Sequence, residues 1–350
     1  MQLSTVSSPI VDIHRHIAHP RLLTNLASIP REVFVEHLPV QKETAYTLPS
    51  ESTDIDVQVQ EQDRVGISRG VLSNPFPLAD LKPRAGSVAG NIAQIVNDDL
   101  ATVVSTHPDK LDFLATVHPF EPGFAEEMNR SLTLLGAKGL TLTSSYAGRW
   151  LDDPMLNPFW EYVQARDVAV FLHPPITPTW LPLNDIYPLQ EMVYRPFDVM
   201  TTTTRMIFSG LFDRYPRLKI VLPFAGAGIM NLLGRLDYSY RSLSTSSATQ
   251  EVALYQHLPS SYMRTNVYVE LGMTFSPTTV QQAIQIFGSN HVLFGTDYPV
   301  APIAEQLEIV KQLNLSSTER EQILWKNSHD LFHLNTPSGA IIPQSTMKGQ

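Results

Sequence analysis

Short runs of Val, Ile, Leu and Phe recur along the chain, and the stretch after each carries apolar residues at helical spacing. The runs at 10–13, 70–72, 112–117, 139–142, 168–172, 219–222, 267–271 and 291–294 predict eight strands. Several are nearly continuous rather than alternating, the pattern of strands buried on both faces of a parallel sheet. Helical periodicity falls at 97–104, 124–135, 158–165, 200–212, 229–236, 277–287, 304–313 and 318–332. Eight strands, each followed by a helix, predict an α/β fold, specifically a (β/α)8 TIM barrel.

Two stretches break that rhythm. Residues 19–62 are rich in prolines and polar residues without a clear period, which predicts a long connection after the first strand, with short helices of its own. In a barrel such a connection lies over the face where strands end, where it covers an active site. The tail 336–350, rich in Pro, Ser, Thr and Gly, reads as a mobile end of a single domain spanning 1–335.

Composition narrows the chemistry. The 350 residues are 43% hydrophobic and 17% charged, with a formal net charge of -9, and the 25 Lys and Arg are scattered. That pattern argues against nucleic acid or an anionic membrane surface as partner and favours a small-molecule substrate. With no cysteine, thiolate nucleophiles, disulfides and iron–sulfur clusters are excluded, and any metal must be held by histidine and carboxylate. No basic start with an apolar core marks a signal peptide, and no run of about 18 apolar residues suggests a membrane span, so the expected location is cytoplasmic.

Candidate ligands stand at strand ends. His14 and His16 lie two apart in Val11-Asp-Ile-His-Arg-His, the repeat that sends alternate strand side chains to one face. His173 ends the fifth predicted strand and Asp297 follows the eighth. A barrel gathers the C-terminal ends of its strands at one face, so these four converge although distant in sequence. Mixed histidine and carboxylate ligation suits Zn²⁺, with Mn²⁺ as the alternative.

These motifs, in this order, resemble the amidohydrolase superfamily, in particular its amidohydrolase-related branch with aminocarboxymuconate-semialdehyde decarboxylase and γ-resorcylate decarboxylase. The similarity runs from Val11-Asp-Ile-His-Arg-His through Phe171-Leu-His-Pro, Phe208-Ser-Gly-Leu-Phe-Asp-Arg-Tyr-Pro, Gly234-Arg-Leu-Asp and Phe294-Gly-Thr-Asp-Tyr-Pro to Asn327-Ser-His-Asp-Leu-Phe. The resemblance implies that His14, His16, His173 and Asp297 bind one divalent ion. The fourth strand ends in Leu142-Thr-Ser-Ser, without the ligand that relatives with two metals carry there. It also implies a homodimer in which Arg235 reaches a neighbouring subunit's site and binds a substrate carboxylate.

One position departs from the family. A histidine usually follows strand six and moves protons; here the aligned residue is Phe224, in Val221-Leu-Pro-Phe-Ala-Gly-Ala-Gly. A phenyl ring neither gives nor takes a proton, so another group must act, or polarisation alone suffices, or catalysis is lost. Asp297, Glu270 at the end of strand seven and His118 at the end of strand three are the candidate catalytic substitutes. Beside Phe224 and Arg235, the candidate substrate contacts are Asn74, Arg149 and Trp150, with Trp180 and Arg195 as further walls of an aromatic-sized pocket. The leading expectation is a metal-dependent decarboxylase of carboxylated aromatic or unsaturated small molecules. The alternatives are a hydrolase or hydratase using metal-bound water, and a catalytically silent barrel that binds a small ligand.

Overall fold

A computed structural model describes residues 8–18, 20–27, 50–74, 76–79, 81, 87–176, 178, 187, 189–244 and 255–335. The barrel strands follow the expected order: Val11–His16, Arg69–Ser73, Leu111–Phe113 continued by Ala115–Thr116, Leu140–Thr143, Ala169–His173, Lys219–Leu222, Val267–Glu270 and Val292–Leu293. Neighbours pair in parallel from the first strand to the third and from the third to the eighth. At Leu114 the third strand passes from one neighbour to the other: its N–H donates to Leu72 O (2.9 Å), and the next N–H, of Ala115, donates to Gly139 O (3.0 Å). Closure comes from residues after the short eighth strand, where Asp297 N donates to His14 O (2.8 Å) and His16 N to Tyr298 O (2.9 Å).

The first strand is irregular where it matters. Its register against the second slips between Asp12 and Arg15. Val11 and Ile13 join a buried cluster with Val71, Leu114, Phe171, Val221 and Leu293 from neighbouring strands. Arg15, by contrast, bonds Gln58 and Gln62 of an outer helix. Such a slip re-aims side chains next to a site, and here it frees His14 and His16 to share one destination.

That outer helix, Ile55–Val65, is one of the short helices expected within 19–62, though its bounds were not legible there. It has a built start, with Asp54 accepting from Asp56 N and Val57 N, and a stop at Gly66 with φ 85°. Its buried residues are Gln58, Val59 and Gln62, so the inward face is largely amide rather than apolar and leaves no hydrophobic stripe to read. Elsewhere boundaries move. The expected 97–104 helix extends over Ser87–Thr106, and the expected 200–212 helix starts at Arg195 and ends at Phe208. The 318–332 segment is Ser317–Glu321 and Asn327–Phe332 joined by a π-helical turn. The segment 229–236 splits into the 3₁₀ turn Ile229–Asn231 and the helix Leu233–Ser244. Residues 28–49, Trp180 and the tail 336–350 lie outside the described residues. Among those described, no helix is long and apolar enough to cross a membrane.

Candidate metal centre

His14, His16, His173 and Asp297, drawn from the first, fifth and eighth strands and their ends, meet at the C-terminal face of the barrel. All four are buried, and one ligand atom from each lies within 4.8 Å of the others. His14 Nε2 is 3.1 Å from His16 Nε2, and Asp297 Oδ1 is 3.3 Å from the first and 3.1 Å from the second. The His173 ring packs edge-on against both, at centroid distances of 5.2 and 4.9 Å.

The opposite ring nitrogens decide the fit to a metal. His16 Nδ1 donates to Ser73 O (2.9 Å) and His173 Nδ1 to Pro174 O (2.8 Å); a carbonyl only accepts, so each of these rings carries its proton on Nδ1. His14 Nδ1 faces the Glu270 carboxylate at 3.0 Å. Rings anchored in this way turn their Nε2 atoms toward one another and toward a carboxylate, an arrangement a divalent cation satisfies. Three imidazoles and a carboxylate at such spacing fit one ion with bond lengths of about 2.0–2.2 Å.

Charge supports the same geometry. Burial strongly disfavours the cationic form of His173, and the nearby His16 and His14 disfavour it further, so this imidazole is neutral. At His14 burial works against the cation too, but Asp297 and Glu270 outweigh it and raise the pKa. Asp297 is buried, which opposes ionisation, yet His14 and His16 hold it below the usual carboxylate range. A cation bound here competes with protons for the imidazole nitrogens, so metal uptake releases protons.

Glu270 organises the back of the centre. Its buried carboxylate accepts from Gly272 N (2.6 Å) and Phe224 N (3.1 Å) besides facing His14. Phe224 has φ 57° and its ring centroid lies 6.2 Å from that of His14. Replacing Glu270 by glutamine should therefore lower manganese affinity about 10- to 100-fold, as loss of a ligand-orienting partner does, without unfolding the barrel; equilibrium dialysis against Mn²⁺ measures it.

Two supports were not visible in the sequence as site residues. Asp12 accepts from Thr296 N (3.0 Å) and Oγ1 (2.7 Å) and from His14 N (3.2 Å), pinning the first strand to the eighth. Burial pushes its carboxyl up to about 6 against the pull of Arg15. A carboxylate inside an apolar strand is the signal, because it needs buried partners. Ser73 contributes only a carbonyl, which no side-chain pattern reveals.

The other candidates stand apart from the four. Asn74 Nδ2 donates to Ile17 O (3.2 Å), a bond that fixes the end of the second strand. Arg149 pairs with Asp153 (2.7 Å) and lies 3.7 Å over the Phe120 ring, and Trp150 lies under Arg205. Arg235 is exposed on the helix Leu233–Ser244, where the nearby Asp237 accepts from Ser260 N and Oγ.

His118 is buried beside Tyr146 and Phe120, at centroid distances of 4.9 and 6.1 Å, and its Nδ1 has no hydrogen-bond partner among the described residues. Burial, and then the Arg149 charge, push its pKa down to about 4. The unfolded chain takes up this proton near pH 6.5 and the folded one only near the depressed value. The stabilisation is therefore complete above about pH 6.5 and is lost as pH falls toward the folded pKa. At full extent it is on the order of 3 kcal/mol. His118→Leu should flatten this acid limb in urea unfolding at a series of pH values; an unchanged pH slope would contradict the assignment.

Fold and donor set together define the class: an α/β-barrel protein with a divalent-metal centre at the C-terminal ends of its strands. The chain belongs to the amidohydrolase family, whose profile matches residues 79–334. That match includes His173 and Asp297 and begins after His14 and His16. A γ-resorcylate decarboxylase from Polaromonas sp. is 30% identical over 297 residues, covering 80% of this chain and 87% of that protein. The 5-carboxyvanillate decarboxylase from Sphingomonas paucimobilis superposes with a TM-score of 0.82 at 24% identity, over 94% of this chain and 100% of that one, a likeness of fold. A dihydroxybenzoic acid decarboxylase from Polaromonas sp., with bound manganese and the inhibitor 2-nitroresorcinol, superposes with a TM-score of 0.74 at 25% identity, over 96% and 100% of the two chains.

Proposed function

We propose that this protein is a metal-dependent carboxy-lyase that releases carbon dioxide from a small aromatic or unsaturated carboxylic acid. The observation that carries the reading is the convergence of His14, His16, His173 and Asp297, with each histidine held at Nδ1, in a chain 30% identical to a γ-resorcylate decarboxylase. Those four would hold one divalent ion, Mn²⁺ or Zn²⁺, which would supply positive charge to stabilise a substrate anion.

Decarboxylation requires a proton at the carbon that loses carbon dioxide, while the electrons of the broken carbon–carbon bond form the new carbon–hydrogen bond. With Phe224 where the family usually has histidine, the proton would reach that carbon by way of Asp297, whose low pKa makes its protonated carboxyl a ready donor. Glu270 acts through His14, fixing ring orientation, rather than by proton transfer. His118 stays neutral at physiological pH, which suits a hydrogen bond to a substrate oxygen and not delivery of a proton as imidazolium. Phe224 offers an apolar wall to an aromatic ring, with Asn74, Arg149 and Trp150 further out.

Arg235 gains a role only if subunits meet. Tyr238, one turn further along the same helix, is 67% exposed, and a second copy that covers this face would bring Arg235 to the neighbouring site. A homodimer by analytical ultracentrifugation that dissociates in Tyr238→Glu supports this arrangement; a monomeric wild type removes it.

The test pairs elemental mass spectrometry with carbon dioxide release from 2,6-dihydroxybenzoate, 5-carboxyvanillate and related acids. About one metal ion per chain and metal-dependent release of carbon dioxide is the expected result. Hydrolysis of lactones or esters without carbon dioxide would replace the reading with the hydrolase alternative. Bound metal with no turnover of either kind would favour a silent binding barrel.

A further inference from the structure

Arg15 lies between His14 and His16 in sequence and, by the alternation of a strand, points away from them. It is fully buried, and its surroundings are built to take it. Nη1 donates to Gln62 Oε1, and Nη2 donates to Gln58 O and Gln58 Oε1, both at 3.2 Å. Nε faces the Asp12 carboxylate at 4.0 Å, and the guanidinium carbon lies 5.2 Å from the centre of the Tyr298 ring. Room for the fork comes from the second strand: a Cβ at Gly70 would run into Arg15 Nη1 and lie 2.9 Å from Gln62 Oε1. Burying a guanidinium is costly, and polar groups from the outer helix and the first strand converge here to offset that cost.

The clasp reaches three of the donors through the backbone. Arg15 is itself the peptide neighbour of His14 and His16. Gln58 Nε2 donates to His16 O (2.8 Å), so the helix that holds the guanidinium also holds the carbonyl of a ligand. Tyr298 adjoins Asp297, pairs with Arg15 in a parallel bridge and accepts from His16 N (2.9 Å). Gln62 is braced in turn, with Nε2 donating to Lys110 O (3.1 Å) just before the third strand. The register of the first strand slips between Asp12 and Arg15, so the ladder alone does not fix the backbone there. Side chains of the outer helix add the constraint that the ladder leaves out.

The geometry points to Arg15 as a positioning residue that holds His14, His16 and Asp297 in alignment from outside the barrel, and so makes the helix Ile55–Val65 part of the support of the metal centre. Arginine suits the task because its rigid planar fork donates in two directions at once, whereas a lysine ammonium is a point charge on a flexible stem. The inference rests on the donor set of His14, His16, His173 and Asp297 and holds whichever reaction the ion serves.

The test is Mn²⁺ affinity by equilibrium dialysis, beside the visible ligand-field spectrum of the Co²⁺-loaded protein, in wild type, R15K, Gly70→Ala and Val163→Ala. R15K keeps the charge beside Asp12 and loses the fork; Gly70→Ala intrudes on the fork without touching a donor. Val163→Ala removes only core packing, from the helix Asn157–Ala165. R15K should bind Mn²⁺ about tenfold more weakly, the scale of losing a ligand-orienting contact. Its Co²⁺ spectrum should shift, because the donors no longer meet at the same angles. Gly70→Ala should move both readouts in the same direction, while Val163→Ala lowers the melting temperature and moves neither. Wild-type affinity and spectrum in folded R15K would overturn the proposal. So would an equal loss in Val163→Ala, the mark of a general loosening of the barrel. Should R15K fail to fold, Gly70→Ala decides by the same criterion. A wild type that binds neither ion removes the centre and this inference together. Carbon dioxide release plays no part in these readouts, so its absence from a metal-binding wild type would sink the carboxy-lyase reading and leave the role of Arg15 standing.

Discussion

Replacing His173 by alanine is expected to leave the barrel folded and strip it of metal. The imidazole is one of four donors that meet within 4.8 Å, and with its Nδ1 proton committed to Pro174 O its Nε2 is the atom left for the ion. Loss of a direct donor should exceed the about 10- to 100-fold loss of affinity that follows removal of a supporting contact. Activity should disappear with the metal, while the thermal midpoint drops only by the part of metal binding that is coupled to folding. Elemental analysis after dialysis, beside a thermal melt with and without Mn²⁺, measures both. Full manganese content in His173→Ala would show that the ion sits elsewhere and would dismantle the centre as described.

Gly295→Ala should be nearly as severe, by a route that touches no donor atom. A Cβ at this position would run into Glu270 Oε2 and lie 3.0 Å from His14 Cβ. Neither neighbour has room to retreat, since Glu270 is held by Gly272 N and Phe224 N as well as His14. Overpacking a buried site costs about 1–3 kcal/mol, and here the shift falls on the group that orients a ligand. The variant should bind manganese at least about tenfold more weakly and melt earlier. If crystals or melting curves show a native-like protein with full metal affinity, the backing role of Glu270 is wrong. A Cβ at Gly272 would lie 2.8 Å from the same Glu270 Oε2, so Gly272→Ala is a second probe of that claim.

The donors were legible because each sits at the end of an apolar run, and the barrel topology turns eight such ends into one location. The same logic placed Glu270. It failed for the helix Ile55–Val65, whose inward face is built from Gln58 and Gln62 to serve Arg15, so the usual apolar stripe is missing. It held for His14 and His16, whose Nε2 atoms meet at 3.1 Å although the strand's register slips between Asp12 and Arg15. Ser73 and Pro174 act through carbonyls, which leave no trace in side-chain patterns. For Arg149 and Trp150 the sequence located the loop but not its direction; the hairpin of Ser145–Tyr146 and Arg149–Trp150 turns them toward Phe120 and Arg205.

Phe224 supports the centre through its main chain: the N–H that bonds Glu270 would be there whatever side chain stood at this position. Evolution therefore has two independent dials at the end of strand six. A codon change at 224 can discard or restore a proton-handling ring while the scaffold that orients His14 is inherited unaltered. A substitution at 224 would retune the wall beside His14 and leave in place the contact that aims the ring.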